Sequence, residues 1–420
     1  MYKLLKELFP ICRSITGDGL KKTLDIISKY VPIRINKIQT GKKIFDWKVP
    51  EEWNIESAYI KNKSGKKIVD FSKNNLHVVS YSEPTQGWFS LAELKKHLHT
   101  LPNRPNAIPY ITSYYKRDWG FCISYNQYKT LSDEKYYVEI NSQFKKGNLL
   151  IAEARLPGKI KKDILLSSYI CHPSMANDSL SGVVLLSKLY EKLKSENRYY
   201  GYRFIFIPET IGSIAYLHKN KTDVKSWMHA GLICTCVGDS GKFNYKKSRL
   251  GNSPIDKVAE NILKYSNHKY LIRDFWPEGS DERQFCSPGF NLPVGSLMRS
   301  VYGEFPEYHT SEDNLQFVKK EYLDESFELY FSLLQGLQLN GIFNNTISYC
   351  EPHLSKYDLY PSSASHLTRT EDLRNMLWIL NYSDGNTPLV EIANKIKRSI
   401  LDLKVPIKEL ESKGLLERVG

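Results

Sequence analysis

Ser168-Tyr-Ile-Cys-His172-Pro-Ser-Met-Ala-Asn-Asp178-Ser-Leu-Ser-Gly182 is the stretch on which the fold turns. It completes an apolar run of strand length, Asp163-Ile-Leu-Leu-Ser-Ser-Tyr-Ile-Cys171. It leads into Gly182-Val-Val-Leu-Leu-Ser-Lys-Leu-Tyr-Glu-Lys-Leu193, whose apolar residues recur at helical spacing. A buried strand, a small polar loop with one imidazole and one carboxylate, and then a helix make the unit from which open α/β sheets are built. Such sheets gather functional groups at the carboxyl ends of their strands. The stretch therefore predicts an α/β fold with His172 and Asp178 at a strand end.

The pattern repeats downstream. Tyr202-Arg-Phe-Ile-Phe-Ile207 is a second strand-like run, followed by Pro208-Glu209-Thr210-Ile211-Gly212-Ser213 and another helical segment. A carboxylate at the end of a buried strand is costly unless it has a partner or a task. A third run, Gly231-Leu-Ile-Cys-Thr-Cys-Val237, ends in Gly238-Asp239. Glu307-Tyr-His309-Thr-Ser-Glu-Asp313 then places a second imidazole in a polar turn, ahead of an apolar-periodic helix over 317–339.

Together these residues resemble the zinc aminopeptidases of metallopeptidase clan MH, the M28-like group. The resemblance implies a zinc-exopeptidase-like three-layer α/β/α core over roughly 130–345. It rests on His172 at a strand end, the Ala176-Asn-Asp178-Ser-Leu-Ser-Gly182 loop, Glu209 before Ile211-Gly-Ser213, Ser280-Asp281-Glu-Arg283-Gln-Phe285, and Tyr308-His309-Thr310. It implies His172, Asp178 and His309 as metal ligands, and Glu209 as the general base toward a metal-activated water.

Three departures alter that expectation. The family's second Glu is Thr210, the strand-end Asp ligand is Thr235, and the Asp that orients the ligand His is Ser174. Losing two carboxylates leaves a second divalent cation poorly compensated. His172, Asp178 and His309 remain, and three protein ligands with an open position are the mark of a catalytic zinc. The expectation is one zinc ion. Asp281, Arg283 and Asp239 are candidates for positioning substrate; for Asp281 and Arg283 a structural ion pair is the alternative.

The seven cysteines form no Cys-x-x-Cys pair, so zinc-ribbon and redox motifs are absent. The other eight histidines lack motif context. A net charge of +13 is spread along the 420 residues rather than concentrated. The amphipathic, charge-interrupted start is not a signal peptide, and no run is long enough to span a bilayer. Unpaired cysteine usage points to a reducing cytoplasm.

The core is assigned to 1–37 and 106–350. Short β-like runs (Ile44 to Val49, Ile55 to Ile60, His77 to Tyr81) assign 38–105 to an inserted small β-rich domain. This combination resembles bacterial proteins linked to surface polysaccharide biosynthesis. After a polar linker over 357–365, residues 365–420 read as helix, helix, helix and short strand, which resembles a winged helix-turn-helix. From Arg369 to Arg418 nine basic residues face eight acidic ones, a poor basis for neutralising phosphates. Nucleic acid is therefore not expected as a partner, and protein contact or self-assembly through this domain is.

The expected activity is mono-zinc hydrolysis of an amide in a peptide, an amino-acid conjugate or an amino-acylated sugar. Two other classes are compatible with the residues: a metal-binding scaffold with weak chemistry, and an aminoacyl transferase or cyclase. Specificity is expected in the loops 245–250, 276–285 and 302–305.

Overall fold

The computed structural model describes residues 1–360 and 371–420. Much of the expected 357–365 linker and residues 365–370 lie outside the described residues. The Asp163–Tyr169 strand sits within an eight-stranded mixed sheet. Gly201–Ile207 and Met228–Cys234 flank it in parallel, and Val294–Met298 continues the parallel series. Asn148–Leu156 and Arg34–Gln39 add antiparallel strands on one side. On the other, Phe243–Lys246 runs antiparallel to Val294–Met298 and carries Tyr270–Arg273 beside it.

Every residue of Asp163–Tyr169 is buried, which requires cover on both faces of the sheet. Ile164 and Leu166 face the larger core with Phe204, Phe206 and Leu232, beneath the helices Gly182–Leu193, Pro254–Lys264 and Lys320–Leu339. Leu165 points the other way, toward Ile205, Ile233 and the helix Ile211–Lys219. Successive strand residues thus feed opposite layers, giving the expected α/β/α sandwich.

A separate four-stranded antiparallel sheet orders Lys67–Asp70, Glu52–Lys61, Lys135–Lys145 and Thr85–Ser90. Its second central strand thus comes from beyond residue 105, with Tyr136, Val138 and Ile140 turned inward at period two. Two of the β-like runs differ from expectation. Ile44 to Val49 splits into Lys43–Ile44 and Trp47–Lys48 around a turn in which Phe45 is left-handed at φ 51°. His77 to Tyr81 is not a strand: a 3-10 turn covers Asn75–His77, isolated bridges join Val78 and Ser80 to other segments, and Tyr81 has φ 69°.

At the C-terminal end come helices Glu371–Tyr382, Leu389–Lys395 and Lys404–Ser412, the last preceded by a 3-10 turn at Ile400–Leu403. Ile342–Asn345 is the middle strand between Asp384–Pro388 and Leu416–Arg418, so the three-stranded sheet begins before residue 365. Asn261 fastens this unit to the core: its Nδ2 donates to the Arg398 carbonyl and its Oδ1 accepts from the Ile400 N–H. No described helix is long and apolar enough to cross a membrane.

Candidate active site

Three adjacent parallel strands end side by side, and each delivers a residue to one place. Asp163–Tyr169 leads to His172, Gly201–Ile207 to Glu209, and Met228–Cys234 to Thr235. His309 enters from the late polar turn. His172 Nδ1 lies 3.7 Å from Asp178 Oδ2, His309 Nε2 lies 3.1 Å from the same oxygen, and His172 Nε2 is 3.4 Å from Glu209 Oε2.

The loop carrying Asp178 is held from several sides. Asp313 accepts from the N–H groups of Asn177 (2.6 Å) and Asp178 (2.8 Å), while its carbonyl accepts from Ala176 (3.0 Å). Burial pushes the Asp313 carboxyl up to about 7 against those donors. Asn177 clamps the neighbouring loop, accepting from Gly238 N and donating to Asp239 Oδ2 at 2.7 Å. Gly182 lets the chain cross the Met228–Cys234 strand end: a Cβ there would stand 1.9 Å from the Cys234 carbonyl oxygen. Arg13, fully buried, donates twice to the His172 carbonyl from 159 residues away.

Each Asp178 oxygen has a different environment. Oδ1 accepts from the Tyr169 hydroxyl and, at 3.2 Å, from Thr235 Oγ1. Oδ2 has no hydrogen-bond partner, and the same is true of the buried His172 Nδ1 and His309 Nε2. One ligand atom from each of His172, Asp178 and His309 lies within 4.8 Å of the others. Burial opposes ionisation of Asp178, but His172, His309 and the Tyr169 hydroxyl hold its carboxyl down to about 2. Burial also works against a charged His172, and Asp178 and Glu209 outweigh it to raise the imidazole.

Three unpartnered buried polar atoms converging on one point are costly alone, and a cation there would satisfy all three. Two imidazoles and one carboxylate oxygen suit zinc. Thr235, at the position expected of a second-metal ligand, spends its hydroxyl on Asp178 and on Tyr169 (2.9 Å). Thr210, at the other, accepts from Arg283 Nη2 at 2.9 Å. Ser174 does not touch His172; it donates to the Phe9 carbonyl and accepts from Asn75.

The remaining candidates separate. Asp281 is buried beneath Glu209's turn, its Oδ1 accepting from Thr210 N (2.7 Å) and Ser213 Oγ (2.9 Å) while Oδ2 stays unpartnered. Burial first, and Glu209 second, raise its carboxyl to about 7. These bonds hold Thr210 at φ 61°, a costly region for a β-branched residue. Arg283 reaches the site through Thr210 rather than pairing with Asp281. Asp239 is not brought to the cluster: it is buried, with its oxygens taken by Asn177, Gly241 N and Ser300.

Sequence reasoning did not single out Arg13, Tyr110, Tyr169 or the role of Asp313. Tyr110 sets its ring edge against both His172 and His309, with centroids 5.3 Å apart in each case, and Tyr308 stacks on His309 at 3.9 Å. Tyr169 and Asp313 lie inside the motifs already quoted, so their nearness was a usable signal. Arg13 offers none, because only the folded chain brings it near.

A family model described as a domain of unknown function, DUF4910, matches residues 2–340, and a winged helix-turn-helix model matches 341–418. A Clostridium acetobutylicum protein, provisionally named for polysaccharide biosynthesis and an aminopeptidase-like domain, is 46% identical over 419 residues, covering 100% of this chain and 96% of its own. A crystal structure from the same organism, provisionally called a peptidase, aligns with TM-score 0.93 at 45% identity, over 100% of this chain and 96% of that one. A Bacillus subtilis zinc aminopeptidase shares the fold, with TM-score 0.58 at 12% identity over 79% of this chain and 93% of its own.

Proposed function

The chain belongs to the DUF4910 family, and we propose that this member is a mono-zinc hydrolase of an amide bond, working in surface polysaccharide biosynthesis. The observation that carries the reading is the convergence of His172 Nδ1, Asp178 Oδ2 and His309 Nε2, each buried and without a hydrogen-bond partner. These three residues would hold the metal. Bound zinc supplies Lewis acidity, lowering the pKa of water and polarising a carbonyl.

The chain's own groups do the rest. Glu209 is the base, a partly exposed carboxylate at a strand end and 3.4 Å from His172 Nε2. Tyr169 and Thr235 fix the Asp178 carboxylate so that it presents a single oxygen. Asp281 holds the Glu209–Thr210 turn from below, and Arg283 steadies Thr210 from the side. With neither Thr210 nor Thr235 supplying a carboxylate, the site has charge for one divalent cation. The C-terminal unit, nearly neutral and bonded to the core through Asn261, is read as a protein-contact or assembly domain.

The test is a panel of aminoacyl-, acyl- and sugar-amide substrates assayed with zinc-loaded protein. Release of the amine from at least one class is expected. Failure across the panel, with zinc bound, overturns the hydrolase reading in favour of a metal-binding scaffold.

A further inference from the structure

Apart from the metal-ligand cluster, a cavity of about 630 Å³ lies where the 40–51 segment meets residues 113–117 and the end of the Lys135–Lys145 strand. That volume is in the range of small-molecule sites, about 300–1,000 Å³. Its walls are aromatic, with Tyr114, Tyr115 and Phe144, and Tyr115 is 56% exposed. Its cations are Lys48, Lys116, Arg117 and Lys146, set against Glu51 as the sole acid lining it. Arg117 is occupied: it pairs with Glu51 and lies 3.7 Å over the Phe144 ring. Lys116 pairs with Asp118 at 3.0 Å. Lys48 and Lys146 meet no carboxylate among the described residues.

The cavity is one side chain removed from the candidate metal ligands. The Tyr114 hydroxyl bonds the Tyr110 hydroxyl at 2.7 Å, and Tyr110 abuts both His172 and His309. Tyr114 and Phe144 also pack in the same apolar cluster as Tyr169, Cys171 and Ile211, which flank the strand ends bearing His172 and Glu209.

Exposed aromatic faces receive the C–H side of a sugar ring, and uncompensated ammonium groups favour an anion. We propose that this cavity binds an anionic saccharide, bearing a carboxylate or a phosphate. Lys48 and Lys146 take the charged group, and Tyr114 and Tyr115 take the ring. This binding stands independently of the hydrolase reading above.

Calorimetric titration of the full chain with three disaccharides of matched size tests it: one neutral, one carrying a uronate, one carrying a phosphate. At least one anionic form is expected to bind about tenfold tighter than the neutral one, and that preference should shrink with salt. The tighter anion identifies the charged group. Lys48→Ala/Lys146→Ala should abolish the preference while thermal unfolding stays that of the parent, and Tyr115→Ala should weaken all three sugars alike. Equal binding of neutral and anionic sugars, no binding of any, or an anion preference that survives the double substitution overturns the proposal. Turnover is not read, so the two ideas fail separately. Failure of the separate amide panel leaves the binding result standing, and amide hydrolysis without anion preference counts against the saccharide site alone.

Discussion

Replacing Glu209 by Gln isolates the proposed base. The substitution keeps the shape of the side chain, and the carboxylate it removes is partly exposed, its closest ionic neighbour being His172 Nε2 at 3.4 Å. A surface-like change of this kind costs about 0.5 kcal/mol of stability or less. Glu209 is outside the His172–Asp178–His309 set, so zinc content should stay that of the parent. Loss of a positioned general base lowers a rate by about 10²–10⁴, or roughly 3–5 kcal/mol of barrier. The loss should appear in kcat with KM little changed, because proton transfer is a transition-state contribution. The assay is amine release from whichever panel amide the parent cleaves, with zinc measured on the same samples. A kcat within about threefold of the parent would refute Glu209 as the base. A drop in kcat that tracks loss of zinc would make Glu209 a ligand or a support instead.

Gly182→Ala would press a Cβ to 1.9 Å from the Cys234 carbonyl, a backbone atom that cannot swing aside. A loss of about 3 kcal/mol in urea unfolding is expected, and a loss under about 1 kcal/mol would show that the crossing is looser than described. Lys246→Met strands the buried Glu282, whose Oε1 lies 2.6 Å from Lys246 Nζ with both side chains fully buried. It should cost about 3–5 kcal/mol by denaturant unfolding, with Lys246→Met/Glu282→Gln recovering part, and an unchanged midpoint would contradict the pairing. Asp281, raised from 3.8 to about 7 by burial, keeps in the folded state a proton that the unfolded chain releases. Its contribution to stability therefore falls as pH rises between those two values and is constant above them. Asp281→Asn has no such proton, so the parent should lose stability relative to the variant across that window. A difference that is flat or opposite in sign would reject the raised carboxyl.

The residues with local signatures were legible in the sequence. An apolar run of strand length marked Asp163–Tyr169 as a central strand, and the polar groups after three such strands marked His172, Glu209 and the Thr235 position. His309 was legible through its motif and Asp178 through its loop. Contacts made only on folding were not: Arg13 on the His172 carbonyl, the Asp313 caps, and the hydroxyl pair on Asp178 Oδ1. Asp239 misled because acid type and strand-end position say nothing about partners, and here the partners consume it. The small sheet was only partly legible, since Lys135–Lys145 pairs with strands far earlier in the chain. His77 to Tyr81 had strand composition, but a left-handed Tyr81 breaks the pleat.

Metal stoichiometry bears most directly on the central claim. Elemental analysis of protein equilibrated with excess zinc and then desalted should find one zinc per chain, and Asp178→Asn, which removes the charge on the shared oxygen, should lose it. A ratio of two would mean that Thr210 and Thr235 do not close the second position, and a ratio of zero would remove the metal from the account altogether.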